Sequence, residues 1–161
     1  MLEIRPAIVA DVAVILALIR ELAEYEREPD AVVATEDDLV RDGFGATPRF
    51  RVLMATWNGE PAGFALYVFA YSTWRGRAVL YLEDLFVRPV HRKKRIGISL
   101  MKRLAQVAVD EECGRFVWQV LDWNEPAIRF YESLGARVLR EWLTVRVEGD
   151  AIRALAARDD V

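Results

Sequence analysis

The spacing of apolar positions changes several times along the chain, and each change marks an element. Leu2 to Arg5 alternates as a short strand does, and Val12, Ile15, Ile19 and Leu22 then recur at helical spacing, forming one stripe that ends near Tyr25. Thr35 followed three residues later by Asp38 predicts a capped short helix closed by Gly43 and Gly45. Phe50–Trp57 and Pro61–Tyr71 flank Asn58-Gly59, a pair that tolerates positive φ at both central positions of a tight turn, so an antiparallel hairpin is expected. Val79–Val87 is a further apolar run. A basic loop follows it, then a helix from about Gly97 to Asp110 with Ile98, Met101, Leu104, Ala105 and Ala108 on its inner side. Phe116–Leu121 reads as a buried strand. Asn124 reads as a helix N-cap with Pro126 in the first turn, and Gly135 as the stop. Arg137–Val147 is strand-like and Ala151–Ala157 helical. The order predicts an α/β fold: a mixed central β-sheet with helices on both faces, built as one domain over residues 1–161.

Composition narrows the classes. Of 161 residues 53% are apolar, enough for one core without disulfide or metal staples. With one cysteine, Cys113, and one histidine, His91, the usual zinc ligand sets lack donors, so no metal is expected. Cys113 itself reads as a small buried apolar residue, with nothing in the sequence to pair it with a general base. The longest uncharged stretch, Pro61–Trp74, is shorter than the roughly 20 residues that span a bilayer, and Met1-Leu2-Glu3-Ile4-Arg5 lacks the basic lead of a secretory signal. The expectation is a cytoplasmic protein with no membrane partner.

The net charge of −3 conceals a segregation. Leu85–Val109 holds Arg88, Arg92, Lys93, Lys94, Arg95, Lys102 and Arg103 and no carboxylate. Glu21–Asp42 holds nine carboxylates against Arg27 and Arg41. A charge run by itself is commonly a solvated face, but one segment is suited to anions and the other to cations. The basic loop Arg88–Gly97 runs straight into a helix, whose unpaired N-terminal amides and positive dipole end suit a phosphate or pyrophosphate. Nucleic acid fits less well, since the chain is acidic overall and the loop has no interleaved aromatics. His91 reads as a loop residue without a chemical role. Glu83 and Asp84 interrupt the apolar run Val79–Val87; neighbouring strand residues face opposite ways, so at least one carboxylate meets packed structure unless the strand bends or lies at an edge. A structural ion pair and a functional carboxylate explain them equally well. Tyr131, on a stripe with Ile128 and Leu134, is by periodicity a core aromatic.

Ile4-Arg5-Pro6, Glu21-Leu22-Ala23-Glu24-Tyr25-Glu26, Asp42-Gly43-Phe44-Gly45, Tyr81-Leu82-Glu83-Asp84-Leu85-Phe86-Val87, Trp123-Asn124-Glu125-Pro126 and Phe130-Tyr131 together resemble the GCN5-related N-acetyltransferases. Within that superfamily they look most like the diamine group, the spermidine/spermine acetyltransferases and their thialysine-acetylating relatives. The resemblance implies transfer from acetyl-CoA to a primary amine of a small cationic substrate, by a homodimer. It implies that Leu85, Phe86 and Val87 offer backbone amides to the pantetheine and thioester, that Arg92, Lys93, Lys94, Arg95, Ile96, Gly97 and Ile98 hold the pyrophosphate, and that Asn124 contacts the CoA arm. It makes Tyr131 the acid that protonates the departing thiolate and Glu83 the group that orients the amine and, through water, removes its proton. Tyr25, Glu26, Trp74, Glu83 and Asp84 fall at substrate positions. Two positions depart from the family pattern. Arg95 replaces the first glycine of the pyrophosphate loop, and Ser72 stands where the polyamine enzymes carry an Asp two residues before Trp74. Acetylation of a peptide amine or another amino metabolite on the same fold, and a non-catalytic CoA-sensing or nucleic-acid-binding module, are the alternatives.

Overall fold

A computed structural model describes residues 1–159. The chain divides into two compact units, Met1–Gln119 and a second that begins at Val120. In the first unit β1 (Leu2–Pro6) leads to α1 (Val12–Tyr25) and α2 (Glu36–Phe44), followed by β2 (Arg51–Trp57), β3 (Glu60–Ser72), β4 (Arg77–Val87), α3 (Ile96–Asp110) and β5 (Arg115–Trp118). The five strands lie side by side in chain order, antiparallel except for β4 and β5, which are parallel.

Local chemistry sets the turns. Thr35 caps α2, its Oγ1 accepting from the Asp38 amide at 3.2 Å while the Thr35 amide donates to Asp38 Oδ2 at 2.9 Å, so both ends of the capping box close. Asn58 and Gly59 take φ of 53° and 86°, the doubly positive turn that matches strand twist, and join β2 to β3.

Packing then fixes the faces. Val52, Leu53, Met54 and Ala55 of β2 are all buried, so both sides of the sheet are covered. On one side Val12, Ile15, Leu16, Leu18 and Leu22 of α1 close over Val52, Met54, Phe64, Leu66 and Phe86. On the other, α3 crosses the strands with Leu100 and Leu104 fully buried. Full burial of a Leu or Ile side chain is worth about 1.5–3 kcal/mol, so these two faces carry most of the unit's stability.

The second unit holds α4 (Glu125–Ser133) and α5 (Asp150–Ala156). Asn124 caps α4 by accepting from the Ala127 amide at 3.4 Å, and Pro126 lies in the first turn. Gly135, at φ 88°, ends it: the Gly135 amide donates to Glu132 O and the Ala136 amide to Tyr131 O. Two sequence expectations change. β5 stops at Trp118, short of Leu121, and Arg137–Val147 forms no strand. That segment has strand-like alternation, but a strand needs a neighbour for its amides and carbonyls, and the second unit offers none among the described residues. Trp142, Leu143 and Val145 accordingly stay exposed.

Candidate active site

The site begins with a fault in the β3–β4 ladder. Leu66 faces Asp84 and Tyr67 faces Leu82, so Glu83 has no partner on β3 and forms a β-bulge. An extra residue reverses the alternation. Leu80 and Leu82, 0% and 2% exposed, stand on one side of the sheet, whereas Tyr81, Asp84 and Phe86 stand on the other, the side that α1 covers. The expectation that one carboxylate enters packed structure is met by Asp84, and the bulge presents Glu83 beside it, exposed.

Asp84 forms no ion pair among the described residues to offset its burial. Desolvation, with the negative charges of Glu83 and Glu26 added, pushes its pKa up to about 7. Glu26, the residue that ends α1, is also raised by desolvation. Tyr81 is raised by the same cause, reinforced by Glu83 and Asp84. Three carboxylates and a phenol therefore share one patch at the C-terminal end of α1. In a folded protein such a group lowers stability as its charges appear, so it marks a place built for something else.

One strand edge lies next to this patch. β5 pairs with β4 only from Val79 to Leu82, ending at Leu82 opposite Trp118. From Glu83 to Val87, β4 has β3 on one side and no strand on the other among the described residues. A parallel pair that ends early leaves the longer strand's main-chain groups without strand partners on that side, the kind of switch point at which open α/β sheets take ligands. On the β3 side the approach is close enough to require glycine: a Cβ on Gly63 would run into the Phe86 carbonyl and Val87.

The basic loop follows. The Arg92 Nε–H donates to Val87 O at 3.1 Å, and its guanidinium lies 4.7 Å from the Tyr25 ring centroid. Lys94 Nζ lies 5.0 Å from the Trp57 ring centroid and 3.4 Å from His91 Nδ1. His91 is 8% exposed and closes a single 3₁₀ turn, so within the loop it is a packed residue. Lys93 and Arg95 are exposed and form no ion pair among the described residues. Both have φ of 63°, a left-handed conformation that favours glycine and costs a residue with a side chain about 1–2 kcal/mol. Arg95 takes this glycine-favouring conformation at the N-cap of α3 and places a cation there. Ile96 is buried in the first turn, with Gly97 and Ile98 half-buried behind it.

Other expected residues lie elsewhere. Trp74 is 83% exposed on the turn between β3 and β4. Ser72 pairs with Arg77 at that turn, six residues along β3 from Leu66, so Trp74 stands about 20 Å along the hairpin from Asp84. Ser72 is buried, and its Oγ accepts from the Arg75 amide at 3.2 Å, so it shapes the turn. In the second unit Asn124 is buried as the α4 cap, and Tyr131 is half-buried with its ring 5.4 Å from that of Phe130.

At this end a pairing with no signal in the sequence joins the basic loop to α1. Arg88 grips the Glu21 carboxylate through Nε and Nη2 at 2.7–3.1 Å and donates from Nη1 to Pro61 O at 2.9 Å. It is a cation already used, which removes it from the anion-binding set. The partners are 67 positions apart, beyond any local pattern.

Known proteins bear on this geometry. The Acetyltransferase (GNAT) family model matches residues 15–136. A thialysine N-epsilon-acetyltransferase of Sus scrofa is 46% identical, the match spanning 96% of this chain and 97% of that protein; one of Caenorhabditis elegans is 37% identical over 88% and 89%. Among solved structures, an integron cassette protein from the mobile metagenome of V. cholerae superposes with a TM-score of 0.82 at 30% identity, covering 98% of each chain. With the family model spanning the bulged strand, the basic loop and α4, and with full-length relatives at this identity, the chain belongs to the GNAT family of acetyltransferases.

Proposed function

We propose that this acetyltransferase moves an acetyl group from acetyl-CoA to the primary amine of a small cationic substrate, a diamine, a polyamine or a lysine-like side chain. The observation that carries the reading is the Glu83 bulge, which sets Glu83 and Asp84 side by side at the open edge of β4, next to Glu26, the three forming no ion pair among the described residues. An alkyl ammonium supplies the charge that this patch lacks. The full-length thialysine-acetylating relatives support the same substrate class.

The residues present fit the cofactor. The unpaired edge Leu85–Val87 is suited to its amide-bearing arm, and the α3 N-terminus with Lys93 and Arg95 to its phosphates; Arg92 and Lys94 shape that loop through Val87, Tyr25 and Trp57. Asn124 contributes through the α4 cap. Bound acetyl-CoA supplies an activated thioester.

The chain then has two proton tasks. An alkylamine with a pKa near 10.4 is an ammonium at neutral pH and cannot attack until it loses a proton. Glu83 and Asp84 accept it, and a carboxyl raised to about 7 is a far better match for that transfer than an ordinary aspartate. The Tyr131 hydroxyl donates a proton to the departing sulfur, and backbone amides at the β4 edge stabilise the charge on the carbonyl oxygen. Tyr25 and Glu26 hold the distal end of the substrate. Trp74, distant from Asp84 in its own chain, acts in the homodimer that we propose as the working form in the cytoplasm.

Thiol release on mixing the protein with acetyl-CoA and a panel of amines tests the reading. Diamines and lysine-like amines should give turnover, while neutral amines of similar length should lag. A preference for peptide amines moves the substrate to that class, and CoA binding without turnover on any amine moves the protein to a CoA-sensing role.

A further inference from the structure

The C-terminal turns of α1 touch the end of β4 and its loop at two points, and the spacing is the same on both sides. Glu21 and Tyr25 are four residues apart on α1, hence neighbours on one helix face. Arg88 and Arg92, also four apart, lie where β4 leaves the sheet. Arg88 pairs with Glu21 and Arg92 stacks over Tyr25 at 4.7 Å.

Each rung is anchored behind. The Arg88 amide donates to Ala62 O and its Nη1 to Pro61 O, both at 2.9 Å, so the guanidinium is fixed to the start of β3 before it reaches α1. Arg92 is fixed through Nε to Val87 O. Exposed ion pairs contribute little. This one is bidentate, with side chains 28% and 34% exposed and three of its distances at 2.7–3.1 Å, the arrangement in which arginine gives geometric specificity.

We propose that Glu21 and Arg88 are positioning residues that, with the Arg92–Tyr25 stack, couple the cofactor side of the site to the amine side. The inference rests on the functional reading above, in which the loop holds the cofactor and Tyr25 and Glu26 receive the amine. A shift of the loop on binding phosphate is passed through Arg92 and Arg88 to the α1 turn that carries Tyr25 and Glu26. Bound cofactor thereby settles the amine-binding turn before the amine arrives. No atom of the pair touches either substrate.

Hydrogen exchange on the intact protein, with CoA alone as the probe, reads this directly. In the wild type CoA should slow exchange both at residues 92–98 and at residues 22–26. In Arg88→Met, and in Glu21→Gln, a nearly isosteric change at a side chain 34% exposed on α1, the protection at 92–98 should remain while the gain at 22–26 falls by at least about fivefold, the low end of ordinary coupling between sites. In steady state both variants should raise the amine KM and leave kcat nearly as it was. Equal protection of residues 22–26 in wild type and variants overturns the proposal, as does a lowered Tm with unchanged KM, the behaviour of a merely structural pair. If CoA protects 22–26 in no protein while 92–98 respond, the coupling is refuted and the functional reading stands. If 92–98 do not respond even in the wild type, the cofactor reading fails and the coupling with it.

Discussion

The two halves of the site treat charge in opposite ways. At the bulge, Glu83, Asp84 and Glu26 lie together, and desolvation with the two neighbouring charges pushes Asp84 up to about 7. At the loop, the cations divide into those already engaged and those left open: Arg88 with Glu21, Arg92 over Tyr25 and Lys94 over Trp57, against exposed Lys93 and Arg95. The carboxylate side holds its strain as electrostatics, the loop as backbone conformation. On the function proposed above, a cationic substrate relieves the first and a phosphate makes use of the second.

Removing the proton acceptors breaks the comparison most severely. Glu83→Gln, and Tyr131→Phe on the opposite proton task, are nearly isosteric and should each lower kcat by about 10²- to 10⁴-fold, while calorimetry shows CoA affinity little changed. Wild-type turnover in both would remove the assigned roles.

The loop should respond more mildly. Lys93→Gly and Arg95→Gly relieve a left-handed residue but delete a cation, so CoA affinity should change by less than about tenfold, or 1.4 kcal/mol, and should fall as salt rises in the wild type. Calorimetric titration at low and high salt measures both effects. Tighter, salt-independent binding by the glycine variants would show that the side chains obstruct the phosphates.

Substrate choice should shift less again. Ser72 serves the β3–β4 turn and leaves no carboxylate there, so long polyamines should lack one anchor of about 0.2–1 kcal/mol, and Ser72→Asp should raise the kcat/KM ratio of spermine to a short diamine several-fold at most. A wild-type enzyme with strong spermine preference would contradict this.

A separate effect is on stability. Because Asp84 binds its proton more tightly folded than unfolded, the fold loses stability as pH rises from about 4 through 7, and Asp84→Asn should remove that loss. Thermal melts should show the variant several degrees above wild type at pH 8, with no gain at pH 4. A gain equal at both pH values would mean that the Asp84 charge is not the cause.

What the sequence made legible was local. The capping box of Thr35 and Asp38, the Asn58-Gly59 turn, and the Asn124 cap with its Gly135 stop each act within a few residues, and each is found where expected. Of the acidic segment, Glu26 joins Glu83 and Asp84 in the carboxylate patch, and of the basic segment Lys93 and Arg95 are left exposed. The bulge did not show, because a single unpaired residue is a property of register between two strands and leaves the composition of β4 unchanged. Without the bulge, alternation would put Leu82 and Asp84 on the same face; with it, Asp84 turns to α1. The Glu21–Arg88 pair was hidden for a similar reason, since the fold alone brings such distant positions together. Arg137–Val147 shows the converse: its alternation suits a strand, yet alternation supplies no partner.

The central claim is that the bulged carboxylates take the proton from a cationic amine, and the pH–rate profile of acetyl transfer tests it most directly. Wild type and Glu83→Gln would be compared from about pH 6.5 to 10 with one diamine and saturating acetyl-CoA. The deficit of the variant should be greatest near neutrality and shrink as pH approaches the amine's own value near 10.4, where free amine forms without help. A deficit that stays constant across the range would contradict the account and leave Glu83 with positioning alone.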